Sequence, residues 1–190
     1  MDIITEKALR LLQNIFSFDE INKRILPLDK EFKPEDDYEY FKIKDYFVYV
    51  NEENIQKLIE LSVFMRRKSE ELKNNGVSIN SIVKYSNIGQ YLDSKKCIDF
   101  EDALSKIIHA DNIQFEYEGG YGFKSYGYDS DRNSKYTGNV LINGTKRDGS
   151  AYQAIIDVIK FCTNVFVYTA DRYTMMWENS LHKIKDFKRC

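Results

Sequence analysis

Apolar residues recur at intervals of three and four from the first turns of the chain. Ala8, Leu9, Leu11, Leu12, Ile15 and Phe16 predict a helix over 5–16, with Lys7, Arg10 and Gln13 largely between them. A second short helix is predicted over 19–26, ended by Pro27, and the proline- and charge-bearing stretch 27–38 reads as a surface loop. Residues 40–50, rich in aromatic and β-branched side chains, fit either a pair of strands or the start of a packed helix. Asn51, followed by Glu52 and Glu53, has the chemistry of a helix N-cap. Ile55, Leu58, Ile59, Ser62, Met65 and Leu72 then mark an inward stripe as far as a stop at Gly76. A further helix is predicted over 78–92 from Ile79, Ile82, Val83 and Tyr85, and a shorter one over 100–110, capped by Asp99.

The pattern changes after Asp111. Seven of the nine glycines fall between Gly119 and Gly149. Strands are predicted over 113–117, 139–143 and 151–156, with a turn at Arg147-Asp148-Gly149 and a Gly/Tyr/Ser/Asp loop over 118–136. A last long helix is expected from Asp157 or Thr163 toward Phe187. The fold class expected is α+β: mainly a helical bundle, with a three-stranded antiparallel β insertion over 113–156 before a long C-terminal helix. All 190 residues are assigned to one domain.

Composition narrows the classes. The 190 residues are 43% hydrophobic and 31% charged with a formal net charge of −2, which excludes a disordered chain and gives no basic surplus for nucleic acid or an anionic membrane. Three scattered cysteines (Cys97, Cys162, Cys190) make neither a disulfide framework nor a zinc site. No apolar run approaches the roughly 20 residues that cross a bilayer, so a cytoplasmic, membrane-free protein is expected. Metal and cofactors are not expected. His109 and His182 stand outside ligand spacings, and Asp129 and Asp131 fail the calcium-loop pattern. The basic tip Lys183, Lys185, Lys188 and Arg189 suits a frayed helix end, with nucleic-acid contact as the alternative.

His109 is the first residue with chemistry to weigh. Asp102, Ser105 and His109 share one helix side, but Asp102 stands nearly two turns from His109, too far to orient its ring in a hydrolytic triad. The structural alternative has the imidazole hydrogen-bonded to the strand that follows, closing the helix end. Lys106-Ile107-Ile108-His109-Ala110, followed by a strand, the hairpin from Asn143 to Gly149 and a final helix, resembles a group of uncharacterised bacterial proteins. Those are distantly similar to the HEPN helical bundles of toxin–antitoxin and phage-defence systems. The resemblance implies a place in a bacterial or phage conflict system and, for catalytic members, a dimeric metal-independent ribonuclease that pairs an Arg with a His on one helix. Asp102, Ala103 and Leu104 precede His109 where that Arg is sought, and none is Arg. Arg66 or Arg67 would have to supply the cation from the preceding helix.

Gly119-Gly120-Tyr121-Gly122 lacks the following helix that a phosphate loop needs. Tyr117, Tyr121, Phe123, Tyr126 and Tyr128 instead suit an adaptable contact surface of the Tyr/Gly/Ser kind. A small binding or regulatory protein is therefore the leading expectation, with a protein partner or self-association and with RNA as the other partner considered. The rivals are the ribonuclease built on His109 with Arg66 or Arg67, and a structural assembly protein.

Overall fold

Two long helices run antiparallel at the start of the chain: Lys7 pairs with Glu60, and Asn14 hydrogen-bonds Asn54 at 2.9 Å, so later residues of the first meet earlier residues of the second. These are α1 (Ile3–Ile25) and α2 (Tyr38–Asn74) in a computed structural model that describes residues 3–25, 38–117, 120–121, 136–146 and 148–170. The predicted break within 5–26 is absent, and α1 is continuous. The ambiguous stretch 40–50 is helical, so Asn51 lies inside α2 and caps nothing. Gly76 does end that helix. With φ +75° it turns the chain left-handed, and the Gly76 and Val77 amides donate to the carbonyls of Lys73 and Leu72 at 2.9 and 3.0 Å.

The helix expected over 78–92 is overturned. Ile79–Ser81 forms one 3-10 turn, capped by the Ser78 hydroxyl, and the chain then enters β1 (Asn87–Tyr91) and β2 (Cys97–Asp99). Asp99 then caps α3 (Phe100–Ile108), its side chain accepting from the Asp102 amide at 2.8 Å. The remaining strands are β3 (Ala110–Tyr117), β4 (Gly120–Tyr121), β5 (Tyr136–Thr145) and β6 (Ala151–Asp157). A helix over 158–170, here α4, follows at once, and the Asp157 carboxylate accepts from the Lys160 amide at 2.9 Å.

The sheet has six strands in the order β2-β1-β6-β5-β3-β4, with every neighbouring pair antiparallel. This corrects the expected helical bundle with a three-stranded insertion. The class is α+β, but the sheet is the organising layer, because β1 and β2 add to the edge of β6. Ile88, Ile113, Phe115, Val140, Ile142, Ala154 and Ile156 face one continuous core with α1–α4. That one-sided burial is the usual state of an antiparallel sheet. Tyr136, expected at the end of a loop, lies in β5 and is buried against Phe115, ring centroids 5.3 Å apart.

Gly144 shows how closely neighbouring strands pack, since it lies directly opposite Tyr152 in the β5–β6 pair. A Cβ there would stand 2.4 Å from the Tyr152 hydroxyl oxygen and 2.5 Å from Tyr152 Cζ. Gly144→Ala should therefore cost about 1–3 kcal/mol in denaturant unfolding, the usual range for overpacking. In a Tyr152→Leu background the same substitution should cost roughly 0.5 kcal/mol or less, since the obstructing ring is gone.

Candidate functional site

The Lys106-Ile107-Ile108-His109-Ala110 segment makes the corner from α3 into β3. Phe100, Ala103, Leu104 and Ile107 turn inward, which leaves Asp102, Lys106 and His109 on the outer side or rim. The Tyr91 hydroxyl donates to Asp102 Oδ2 at 2.8 Å, and Lys106 Nζ lies 3.9 Å from Asp102 Oδ1. The Lys106 ammonium also sits over the Tyr152 ring at 4.6 Å and the Tyr91 ring at 5.7 Å. The Tyr152 hydroxyl donates to the Lys106 carbonyl at 3.3 Å. Burial and then the Asp102 hydrogen bond push the Tyr91 phenol well above its ordinary value, and burial raises Tyr152 as well, with Asp111 and Asp102 adding to it. Both stay protonated at neutral pH. The arrangement ties α3 to β1 and β6 through a half-buried cation on two ring faces.

His109 is exposed at the end of α3. Its backbone amide donates to the Ser105 carbonyl at 3.1 Å, and its ring bonds no described residue. The imidazole-to-strand bond expected from the sequence is absent: backbone and the Tyr152 hydroxyl close the helix end. Arg66 is held at the other end of α3, its guanidinium 3.1 Å from Glu70 and 3.9 Å from Glu101. Glu101 precedes His109 by eight residues, about 12 Å along a helix axis. Arg67 is exposed one position further round α2. Neither arginine is brought to His109. Replacing His109 by alanine should change stability by roughly 0.5 kcal/mol or less, as for an exposed side chain without partners. In a metal-free RNA cleavage assay, wild type, His109→Ala and Arg67→Ala are expected to behave alike. Cleavage by the wild type that both substitutions abolish would establish the ribonuclease.

Of the tyrosine surface, the backbone of Tyr117 and Tyr121 is described, closing the β3–β4 hairpin through the Tyr117–Gly120 and Glu116–Tyr121 pairs. Phe123, Tyr126 and Tyr128 lie outside the described residues, as do Cys190 and His182. Cys97 is exposed and Cys162 buried, where desolvation pushes the Cys162 thiol far up. A thiol reagent at neutral pH should label Cys97 at once and Cys162 only on unfolding, as peptide mass mapping would show.

A surface missed in the sequence lies on the sheet face turned away from the core. Its cross-strand rows follow from the register. Gln153, Asn143 and Asn112 form one; Gln90, Ile155, Leu141 and Gln114 the next; Asp157 and Asn139 a third, which Glu116 joins by accepting from Asn139 Nδ2 at 2.8 Å. Gln153 Nε2 donates to Asn143 Oδ1 at 2.8 Å, and the Thr137 hydroxyl also bonds Glu116. Leu141 is buried while Ile155 is half-exposed, so the centre is apolar and the surround is amide. The signal in the sequence was the polar residue at every second position in Asn112/Gln114/Glu116, and a looser echo of it in Asn139, Asn143 and Thr145, interrupted by Leu141. Among the described residues, no helix is long and apolar enough to cross a membrane, and no group of three His, Cys, Asp or Glu could hold a metal ion. Comparison with protein-family models, with curated proteins and with solved structures finds no match to this chain.

Proposed function

We propose that the chain is a binding protein, regulatory rather than catalytic, that holds a protein partner against the outer face of its sheet. The observation that carries this reading is the three-row grid of Gln90, Asn112, Gln114, Asn139, Asn143 and Gln153 around Ile155 and Leu141. Amides donate and accept at once, so they match peptide groups and other amides, while a small apolar centre supplies burial. The described side chains in these rows include two carboxylates, Glu116 and Asp157, and no Lys or Arg, which suits a protein better than a phosphate backbone. The setting stays the one the HEPN-like resemblance implies, a bacterial or phage conflict system.

A photo-crosslinking amino acid at Gln153 or Asn112, in the full chain in its native cell, tests the reading. A specific protein adduct should form at both positions, vanish with Ile155→Lys while the melting temperature holds, and not form from Glu70 on the exposed side of α2. No adduct at the sheet positions, or an equal one from Glu70, would overturn it.

A further inference from the structure

The rows of the sheet face are complementary to themselves under one rotation. Along the strands they read amide (Gln153, Asn143, Asn112), amide and apolar (Gln90, Ile155, Leu141, Gln114), then acidic (Asp157, Asn139, Glu116). A two-fold axis in the plane of the face and perpendicular to the strands reverses the strand direction between copies. The middle row then meets its own copy, so that Ile155 packs on Ile155 and Leu141 lies beside Leu141. The acidic row of each copy falls over the amide row of the other. Carboxylates meet amide N–H donors, and no like charges face each other. The alternative axis, parallel to the strands, would bring Asp157 and Glu116 of both copies together and is disfavoured by that repulsion. Aligned sheets stack at about 10 Å, a spacing that side chains of this length fill.

We propose that the partner at this face is a second copy of the chain, joined as an isologous, sheet-on-sheet dimer about that axis. The proposal rests on the binding role assigned to the face above, and it names the occupant. An isologous contact must satisfy every group with its own surface, which amides do and an unbalanced charge cannot. The Asp157 carboxylate is shared with Lys160 at 3.1 Å, and Glu116 has Thr137 and Asn139 among its partners, which tempers the negative charge of the acidic row.

Analytical ultracentrifugation of the full chain over a wide concentration range, at low and high salt, is the test. A monomer–dimer equilibrium is expected. Gln153→Glu places a carboxylate over Asp157 of the other copy and should weaken dimerisation roughly tenfold or more, whereas Gln153→Lys faces that same carboxylate and should tighten it several-fold. High salt should shrink both effects. Thermal melts of the variants, expected close to wild type, separate loss of association from loss of fold. A monomer at all concentrations overturns the proposal, and so does a dimer indifferent to both substitutions. The crosslinking experiment keeps the two readings apart. An adduct containing only this chain supports the dimer. An adduct with a different protein leaves the binding role standing and overturns the second copy as occupant.

Discussion

Truncating Phe161 to alanine should lower the unfolding free energy by about 3–5 kcal/mol, as deletion of a fully buried ring does. Phe161 on α4 and Phe100 at the start of α3 are both completely inaccessible, with ring centroids 5.5 Å apart and planes tilted by 50°. The contact joins the helix that follows the last strand to the helix that follows the first hairpin, so the void would open between elements distant in the chain. Backbone on both sides is fixed by capped helix starts at Asp99 and Asp157, which limits collapse into the space. Chemical denaturation should show a reduced midpoint with little change in slope. Phe161→Leu, which keeps most of the volume, should cost distinctly less. A loss below roughly 1 kcal/mol for the alanine variant would mean that the two helices do not share this core.

The second large effect is expected at Asn164. Its side chain is fully buried on α4 and holds one residue of the connection into β1: Oδ1 accepts from the Tyr85 amide at 2.9 Å, and Nδ2 donates to the Tyr85 carbonyl at 2.8 Å. One amide thus replaces the two hydrogen bonds that a neighbouring strand would give. Asn164→Ala strips both partners from Tyr85 and should cost about 2–4 kcal/mol. Asn164→Asp separates the two bonds. Its ionised carboxylate can still accept from the Tyr85 amide but repels the carbonyl, whereas the protonated acid can serve both. The new carboxyl should therefore have a raised pKa in the folded state. Its stabilising contribution should be present at low pH and lost as pH rises through that value. Urea midpoints measured between about pH 4 and 8 would show the variant gaining on wild type as the pH falls. A parallel pH dependence for the two proteins would exclude the pairing.

These two sites also mark where sequence reading succeeds and where it stops. The strands after Asp111 announce themselves by alternation, because one face of each packs on the core and the other carries mostly polar side chains. The caps at Asp99 and Gly76 are equally local: a side-chain oxygen ahead of an amide, and a backbone that must turn left-handed. β1 is different. Ile79, Ile82 and Val83 are spaced as on a helix, and all three do turn inward or partly so, but on a 3-10 turn and the link that follows it. What makes Asn87–Tyr91 a strand is its pairing with β6, a partner that local periodicity cannot reveal. The same holds for Asn164, whose binding to Tyr85 spans most of the second half of the chain. His109 was recognisable as an unusual residue, yet its distance from Arg66 depends on how α2 crosses α3. The sheet-face amides were visible in part as alternating polar positions, but nothing in a single strand shows that four strands align them into rows.

The pairing of β1 with β6 has a consequence for how the chain is made. Gln90 leaves the ribosome 155 − 90 = 65 residues before Ile155, the residue it lies opposite. At roughly 5–20 residues per second, that interval lasts about 3–13 s. Throughout it, the β1–β2 hairpin has no third strand on its inner edge, and a two-stranded ribbon is marginal alone in water. Helix α3 can form on its own timescale during the wait, but the sheet cannot close from this side until β6 emerges. A nascent chain stalled just short of Ala151 should consequently expose Ile88 and Ile98 together, making that window of synthesis the one in which chaperone capture and misassembly compete with folding.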